Sequence, residues 1–449
     1  MAEVELVVPK MSPLRIILLV LAAASLAAAP VAHADKVVVK YREGAHGLKA
    51  AAASTLASHT RVLEVRDGAT TLRRLRGRKD VVYAVPDVKA HASAFIPNDP
   101  GRGRTPGGWA SVQWNFNGPF SVNAPDAWQN AINARAPGGR GVTVAVLDTG
   151  VAYARRGTFR KSPDLARTHF VKGYDFVSHD AYANDRNGHG THVASTIAES
   201  TNNGNGLTGL AYGATIMPVR VLDDHGEGDA SDIAAGVRFA TRHGAQVINL
   251  SLEFSTDVTA SEIPELVEAL AYAHRHGVFL VGASGNEAHR SVAYPARARY
   301  VVSVGSTTEH GCLSDFSNQG TGLDISAPGG GADAVIDDDP DCHPAEKPGR
   351  DIYQVTLEGS QNNRRFGIPG GYEGTSMAAP HVAAAAALVI ATKVIGAHPT
   401  PGAIEERLKA TARDLGAPGP DTRYGAGLLD AAAATAPATG APGATKAPS

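Results

Sequence analysis

The chain has 449 residues, with 42 Lys and Arg against 44 Asp and Glu and a formal charge of −2 at pH 7. That balance excludes a basic nucleic-acid binder, and two cysteines exclude a disulfide scaffold or an all-cysteine tetrahedral zinc site while permitting one bridge. A hydrophobic share of 43%, with 49 Gly and 27 Pro in no collagen-like period, describes a turn-rich globular protein with one large core and a smaller appendage.

Residues 16–29 form an apolar, Ala-rich run behind Lys10 and Arg15, closed by Ala32-His33-Ala34 and then Asp35. The run suits the roughly 7–15 residues of a signal-peptide core and falls short of the roughly 20 that cross a bilayer. Residues 1–34 are expected to be a signal peptide, with the mature protein secreted to the extracellular space and no stable membrane span.

Residues 35–96 have their own pattern. Strands are expected at 36–41 and 80–85, with an Ala-rich helical stretch between them. The basic run Arg73-Arg74-Leu75-Arg76-Gly77-Arg78-Lys79 reads as a solvated face rather than a binding patch. Residues 96–103, rich in Pro, Gly, Asn and Asp, read as a linker.

After it the rhythm changes. Short apolar runs at 142–147, 216–222, 247–251, 278–282 and 301–305 are those of strands buried on both faces. Helical segments at 188–200, 229–243, 262–276, 376–392 and 400–413 alternate with or follow them. The expected class is α/β, three layers around a central parallel sheet, over residues 97–432. Residues 433–449 are Ala-, Pro- and Thr-rich and are expected to be a disordered tail.

Three segments carry chemistry. In Val144-Ala145-Val146-Leu147-Asp148-Thr149-Gly150, a carboxylate follows a buried strand at the edge where parallel sheets bind ligands. Alone, it would be an ordinary turn residue. Asn187-Gly188-His189-Gly190-Thr191-His192 holds two histidines three apart, without the i, i+4 spacing and adjacent Glu of a zincin. Gly374-Thr375-Ser376-Met377-Ala378-Ala379-Pro380-His381 puts Ser376 at a helix start, either as an N-cap or beside backbone N–H groups that suit a developing negative charge. Together they supply what a hydroxyl nucleophile needs: an imidazole to take its proton and a carboxylate to orient the imidazole.

In this order, Asp then His then Ser, the motifs resemble those of the subtilisin-family serine proteases over residues 110 to 430. The resemblance implies a secreted endopeptidase with Asp148 as orienting carboxylate, His189 as base, Ser376 as nucleophile and His192 as a structural histidine. Gly282-Ala283-Ser284-Gly285-Asn286-Glu287 resembles the segment whose Asn donates to the oxyanion, which gives that role to Asn286. Gly226, Gly228, Ser251, Leu252, Glu253, Ala283, Ser284, Gly285 and Ala293 fall where the family binds an extended peptide, and the small Ala293 would leave a deep pocket for a large apolar side chain. Residues 35–96 resemble the family's inhibitory propeptide, a small α/β domain expected to be cut off between Ala90 and Pro97. The resemblance implies protein and peptide substrates, the propeptide as intramolecular inhibitor, a monomer, and no required cofactor.

The chain also departs from the family. Glu253-Phe254 replace a Gly-Gly pair, Ser195 and Ala384 replace glycines at helix contacts, and residues 329–371 are longer than a minimal member needs. Asp175, Asp180 and Asp185 could hold structural calcium, although solvated loop carboxylates are the simpler reading. Cys312 and Cys342 are expected to be joined, because a secreted chain meets oxidising conditions and no other pairing exists within one molecule; two free buried thiols or a bridge to another chain are the rival readings. Two other classes compete with the protease: a catalytically dead binding protein of the same fold, which would not need all four polar groups, and an α/β-hydrolase esterase, which would want Gly-x-Ser-x-Gly and a final His.

Overall fold

The computed structural model describes residues 35–42, 59–65, 68–87, 95–336, 339–345, 347–359 and 365–437, which fall into two compact units divided between Ala92 and Ser93. The expected signal peptide, most of the Ala-rich stretch of the first unit and residues 438–449 of the expected tail lie outside the described residues.

In the first unit, β1 (Asp35–Tyr41) lies between β2 (Thr60–Val65) and β3 (Val81–Pro86), all antiparallel, with α1 (Gly68–Arg76) against them. Alternation along β1 buries Val37, Val39 and Tyr41, which pack with Leu75 of the helix and Val81 and Ala84 of β3. The basic run expected on a solvated face begins as the last turn of α1. Arg73, Arg74 and Arg76 stand there, where positive charge complements the helix dipole.

The second unit begins earlier than the linker reading allows. Asp99 is fully buried and accepts from the backbone N–H groups of Asn202 and Asn203 at 2.7 and 2.9 Å. Trp109 Nε1 donates to Pro97 O at 3.0 Å. Turn-forming residues there fold back onto the domain, so residues 97–103 are part of it.

Its elements follow in chain order. They are α2 (Trp109–Val112), α3 (Ala124–Asn133), β4 (Thr143–Asp148), β5 (His169–Phe170), β6 (Tyr174–Asp175), α4 (His189–Ala198), β7 (Thr215–Arg220) and α5 (Ala230–Arg242). Then come β8 (Val247–Leu250), α6 (Pro264–Arg275), β9 (Phe279–Ala283), β10 (Val301–Thr307) and β11 (Ile325–Pro328). The last are β12 (Thr356–Leu357), β13 (Phe366–Gly367), α7 (Thr375–Thr392), α8 (Pro401–Ala410) and α9 (Ala431–Thr435). Eight strands make one parallel sheet, in the order β11-β10-β9-β8-β4-β7-β5 with β6 also on β7.

Successive side chains on a strand point to opposite faces, and here both faces are dry. Val144 and Val146 of β4 join a core with Val193 and Ile197 of α4 and the alanines of α7. Ala145 and Leu147 join a second core with Val237 of α5 and Leu266 and Leu270 of α6. That gives three layers. Helix α7 is buried nearly all round, and its run of alanines lets neighbours approach its backbone closely. The boundary drawn at Ala433 falls inside α9, where Asp430 caps the helix and Ala434 and Thr435 are buried. Alanine is a strong helix former, and composition alone hides that packing.

Candidate active site

Asp148 ends β4, His189 opens α4, and Ser376 is the second residue of α7. Parallel strands send their following loops to one edge. Strand β4, flanked by β7 and β8, marks the point where the strand order reverses, the usual place for a ligand crevice.

His189 Nδ1–H donates to Asp148 Oδ1 at 2.8 Å. An ionised carboxylate only accepts, so this bond fixes the proton on Nδ1 and leaves Nε2 free to accept one. The Asp148 side chain is fully buried, while a quarter of His189 remains open to the cleft. Burial opposes a charge on His189, but the charge and hydrogen bond of Asp148, with Asp185 behind it, outweigh that and raise its pKa above 6.5. The approach requires Gly190, because a Cβ there would stand 2.1 Å from Gly150 O and 3.0 Å from Asp148 Cβ.

Buried Asp185 fastens the two segments together. Its Oδ1 accepts from Thr149 Oγ1 (3.0 Å), Asn187 N (2.9 Å) and Gly188 N (3.0 Å). Its Oδ2 accepts from Thr191 N (3.0 Å) and Thr191 Oγ1 (2.6 Å). The three carboxylates considered for calcium do not converge: Asp175 pairs with Arg220 at 3.0 Å, and Asp180 with Arg156 at 3.5 Å. Nor are all of them solvated, since Asp175 and Asp185 are buried.

His192 is a packing residue, not a ligand. Its Nε2–H donates to Ile352 O at 2.9 Å, its ring stacks on Tyr372 at 4.2 Å, and burial lowers its pKa to about 3. His381, also buried and lowered to about 4, donates from Nδ1 to Met377 O.

Ser376 Oγ donates to Ser251 O at 3.3 Å. Asn286 is held from two sides. Its Oδ1 accepts from Thr375 N (2.8 Å) and Thr375 Oγ1 (3.1 Å). Its Nδ2 donates to Glu253 Oε1 (3.1 Å), and its backbone N–H to Glu253 Oε2 (2.8 Å). Glu253 is exposed to the cleft, yet its pKa is raised: partial burial outweighs the two Asn286 hydrogen bonds, which lower it, and the like charge of Glu287 adds a little more.

His189 and Ser376 line one cleft of about 540 Å³, with Gly226, Gly228, Ser251, Leu252 and Glu253 along it. Ala283, Ser284, Gly285, Asn286 and Ala293 do not line it. Ala283, Ser284 and Ala293 are buried, and the Ala293 N–H donates to Ser284 O at 2.9 Å. The deep pocket expected over Ala293 is therefore not open to this cleft.

The Subtilase family profile matches residues 139–427. The chain belongs to the subtilase family. It is 37% identical over 325 residues to Subtilisin Savinase of Lederbergia lenta, covering 72% of this chain and 99% of that one. It is 33% identical over 357 residues to a Thermophilic serine proteinase of Bacillus sp. (strain AK1), covering 78% and 75%. A solved protease structure from Pseudoalteromonas arctica superposes with a TM-score of 0.60 at 33% identity, covering 76% of this chain and 99% of that one.

This subtilase is thus a serine peptidase, a hydrolase acting on polypeptides. Its long segment after Gly329, which the sequence left without a role, backs the His189 helix. Thr356 Oγ1 donates to Gly188 O at 2.5 Å, and Ser195 Oγ, on the face of α4 where the family has glycine, donates to Val355 O at 3.2 Å. Cys312 and Cys342 are joined, with an S–S distance of 2.07 Å. Thr356 and Thr375 are supporting groups to which no sequence motif assigned a role, because their partners lie 168 and 89 residues away. Asp185, considered in the sequence only for calcium, instead fastens its own motif to Thr149.

Proposed function

We propose that this subtilase is a secreted endopeptidase that cleaves protein chains through an Asp148–His189–Ser376 triad and an acyl-enzyme intermediate. His189 Nε2 takes the Ser376 hydroxyl proton as Oγ bonds to the substrate carbonyl carbon. The imidazolium, stabilised by Asp148, then gives that proton to the departing amine as the C–N bond breaks, and water repeats the sequence to release the acid. The Ser376 N–H and Asn286 Nδ2 would hold the oxyanion. The observation that carries the reading is the 2.8 Å bond between His189 Nδ1 and fully buried Asp148, in a cleft shared with Ser376.

We further propose that residues 1–34 direct export, that residues 35–96 inhibit the enzyme as a propeptide, and that the enzyme works as a monomer without a required cofactor. Autocleavage would fall between Ala90 and Pro97. Residues 88–94 lie outside the described residues, while Phe95 packs edge-on to Trp128 at 6.2 Å. Expression of the wild type and Ser376→Ala in a protease-deficient host tests both parts. The wild type should digest casein and lose its propeptide, and Ser376→Ala should do neither. A processed, casein-digesting Ser376→Ala protein would overturn the reading.

A further inference from the structure

Glu253 carries a carboxylate to a place where the family has glycine, and its position constrains what can bind. It lines the cleft beside Ser376 and accepts from both the backbone N–H and the Nδ2 of Asn286. It also lies against Gly285, where an added Cβ would come within 2.5 Å of Glu253 Oε2. Glu253, which lines the cleft, therefore touches both Gly285 and Asn286, which do not line it.

A substrate carbonyl that reaches Asn286 Nδ2 must come to within about 3 Å of it. Glu253 Oε1 is 3.1 Å from the same nitrogen. The residue bearing that carbonyl therefore shares a donor with the Glu253 carboxylate, which lines the same cleft and lies within reach of its side chain. An apolar side chain there would cover a carboxylate without pairing it, which is costly. It would also leave that negative charge next to the forming oxyanion. A cationic side chain does the reverse.

Nothing among the described residues supplies that cation. The charged groups of the cleft are Glu227 and Glu253, with His189 and His225, and no described Lys or Arg lines it. Among the described residues, neither Glu253 nor neighbouring Glu287 is within 4.0 Å of a Lys, Arg or His nitrogen. Amide donors satisfy the Glu253 oxygens but leave its charge uncompensated.

We infer that Glu253 is a specificity-determining residue that selects substrates with Lys or Arg immediately before the cleaved bond. The substrate cation draws the carboxylate off Asn286 and so frees the oxyanion donor as it binds. This rests on the triad reading of the cleft and goes beyond it, because it names the substrate residue.

The test compares kcat/KM of mature enzyme on matched peptide anilides ending in Lys, Arg, Phe or Leu. The ratio of Lys to Phe should fall by about 10- to 100-fold in Glu253→Gly and in Glu253→Gln, the range expected for losing a charged hydrogen bond. In the wild type the ratio should rise with pH as Glu253 ionises. His189 serves both substrates, so its titration divides out of the ratio. Glu287 beside Glu253, and Glu227 and His225 in the cleft, also face the bound cation, and Glu227→Gln should leave most of the pH dependence in place. An unchanged ratio in both Glu253 variants, with all four anilides cleaved and cleavage lost in Ser376→Ala, would overturn this inference alone. Failure of the wild type to cleave any anilide or casein would instead overturn the triad reading beneath it.

Discussion

Ser251 donates its hydroxyl hydrogen to the main-chain carbonyl of Ser376 at 2.8 Å. That carbonyl would ordinarily accept from the backbone N–H four residues on, but the residue there is Pro380, which has none. The proline inside α7 thus leaves an orphan acceptor on the nucleophile's own residue, and the strand end at Ser251 satisfies it. The bond ties the nucleophile to β8, the strand that leads into Ser251 and Leu252 of the cleft.

Ser251→Ala should therefore cost about 1–3 kcal/mol of stability by leaving a carbonyl without a donor. Restoring the donor in the double variant Ser251→Ala with Pro380→Ala should return part of that loss. Urea unfolding of enzyme blocked at Ser376 measures both, and strictly additive effects of the two changes would contradict the pairing.

Asn286→Ala should lower kcat by about 10²–10³ with little change in KM, the size of loss seen on removing one such donor in subtilisin, a member of this family. Thr375→Val should reproduce a smaller part of it, because the Thr375 hydroxyl helps to aim the carboxamide. Steady-state kinetics on one peptide substrate would show this.

How much of this was legible beforehand depended on the distance over which each signal acts. Asp148, His189 and Ser376 sit in motifs whose neighbours are dictated by backbone geometry. Gly190 allows β4 and α4 to touch, and Gly374 takes a φ of 144° just before α7. Long buried strands such as β4 and β10 read directly from their apolar runs. The two-residue strands β5 and β6 did not, because two residues carry no period. Residues 97–103 have the composition of a linker but are held by Asp99, whose partners are more than a hundred residues away. The grip of Glu253 on Asn286 spans 33 residues and depends on side-chain placement, so the sequence offered only the substitution itself as a clue.

The acid limb of the pH–activity profile should lie above pH 6.5, since His189 must be neutral to accept a proton and Asp148 raises its pKa. The sign for stability is opposite. A raised folded pKa means that charged His189 stabilises the fold below about pH 6.5, and this contribution is lost as pH rises through the folded value. Asp148→Asn should move the limb downward and lower kcat by about 10⁴. A limb that does not move in Asp148→Asn would contradict the assignment.

The bridge between Cys312 and Cys342 closes a sequence separation of 30 residues. By chain entropy, such a loop contributes about 3–4 kcal/mol. Cys312→Ser should lower the melting temperature and speed autolysis while leaving kcat on small peptides nearly unchanged, as thermal unfolding and initial rates would show. Two alkylatable thiols in denatured, unreduced wild-type enzyme would contradict the bridge.

The central claim is that Ser376 is the nucleophile and His189, held by Asp148, is its base. Its most direct test is mass spectrometry of the mature enzyme after treatment with a serine-directed phosphonylating reagent. One adduct per chain on Ser376, formed in step with loss of peptidase activity and at least about 10²-fold more slowly in His189→Ala, is the predicted result. An adduct on another residue, or full activity in enzyme carrying the adduct on Ser376, would contradict it.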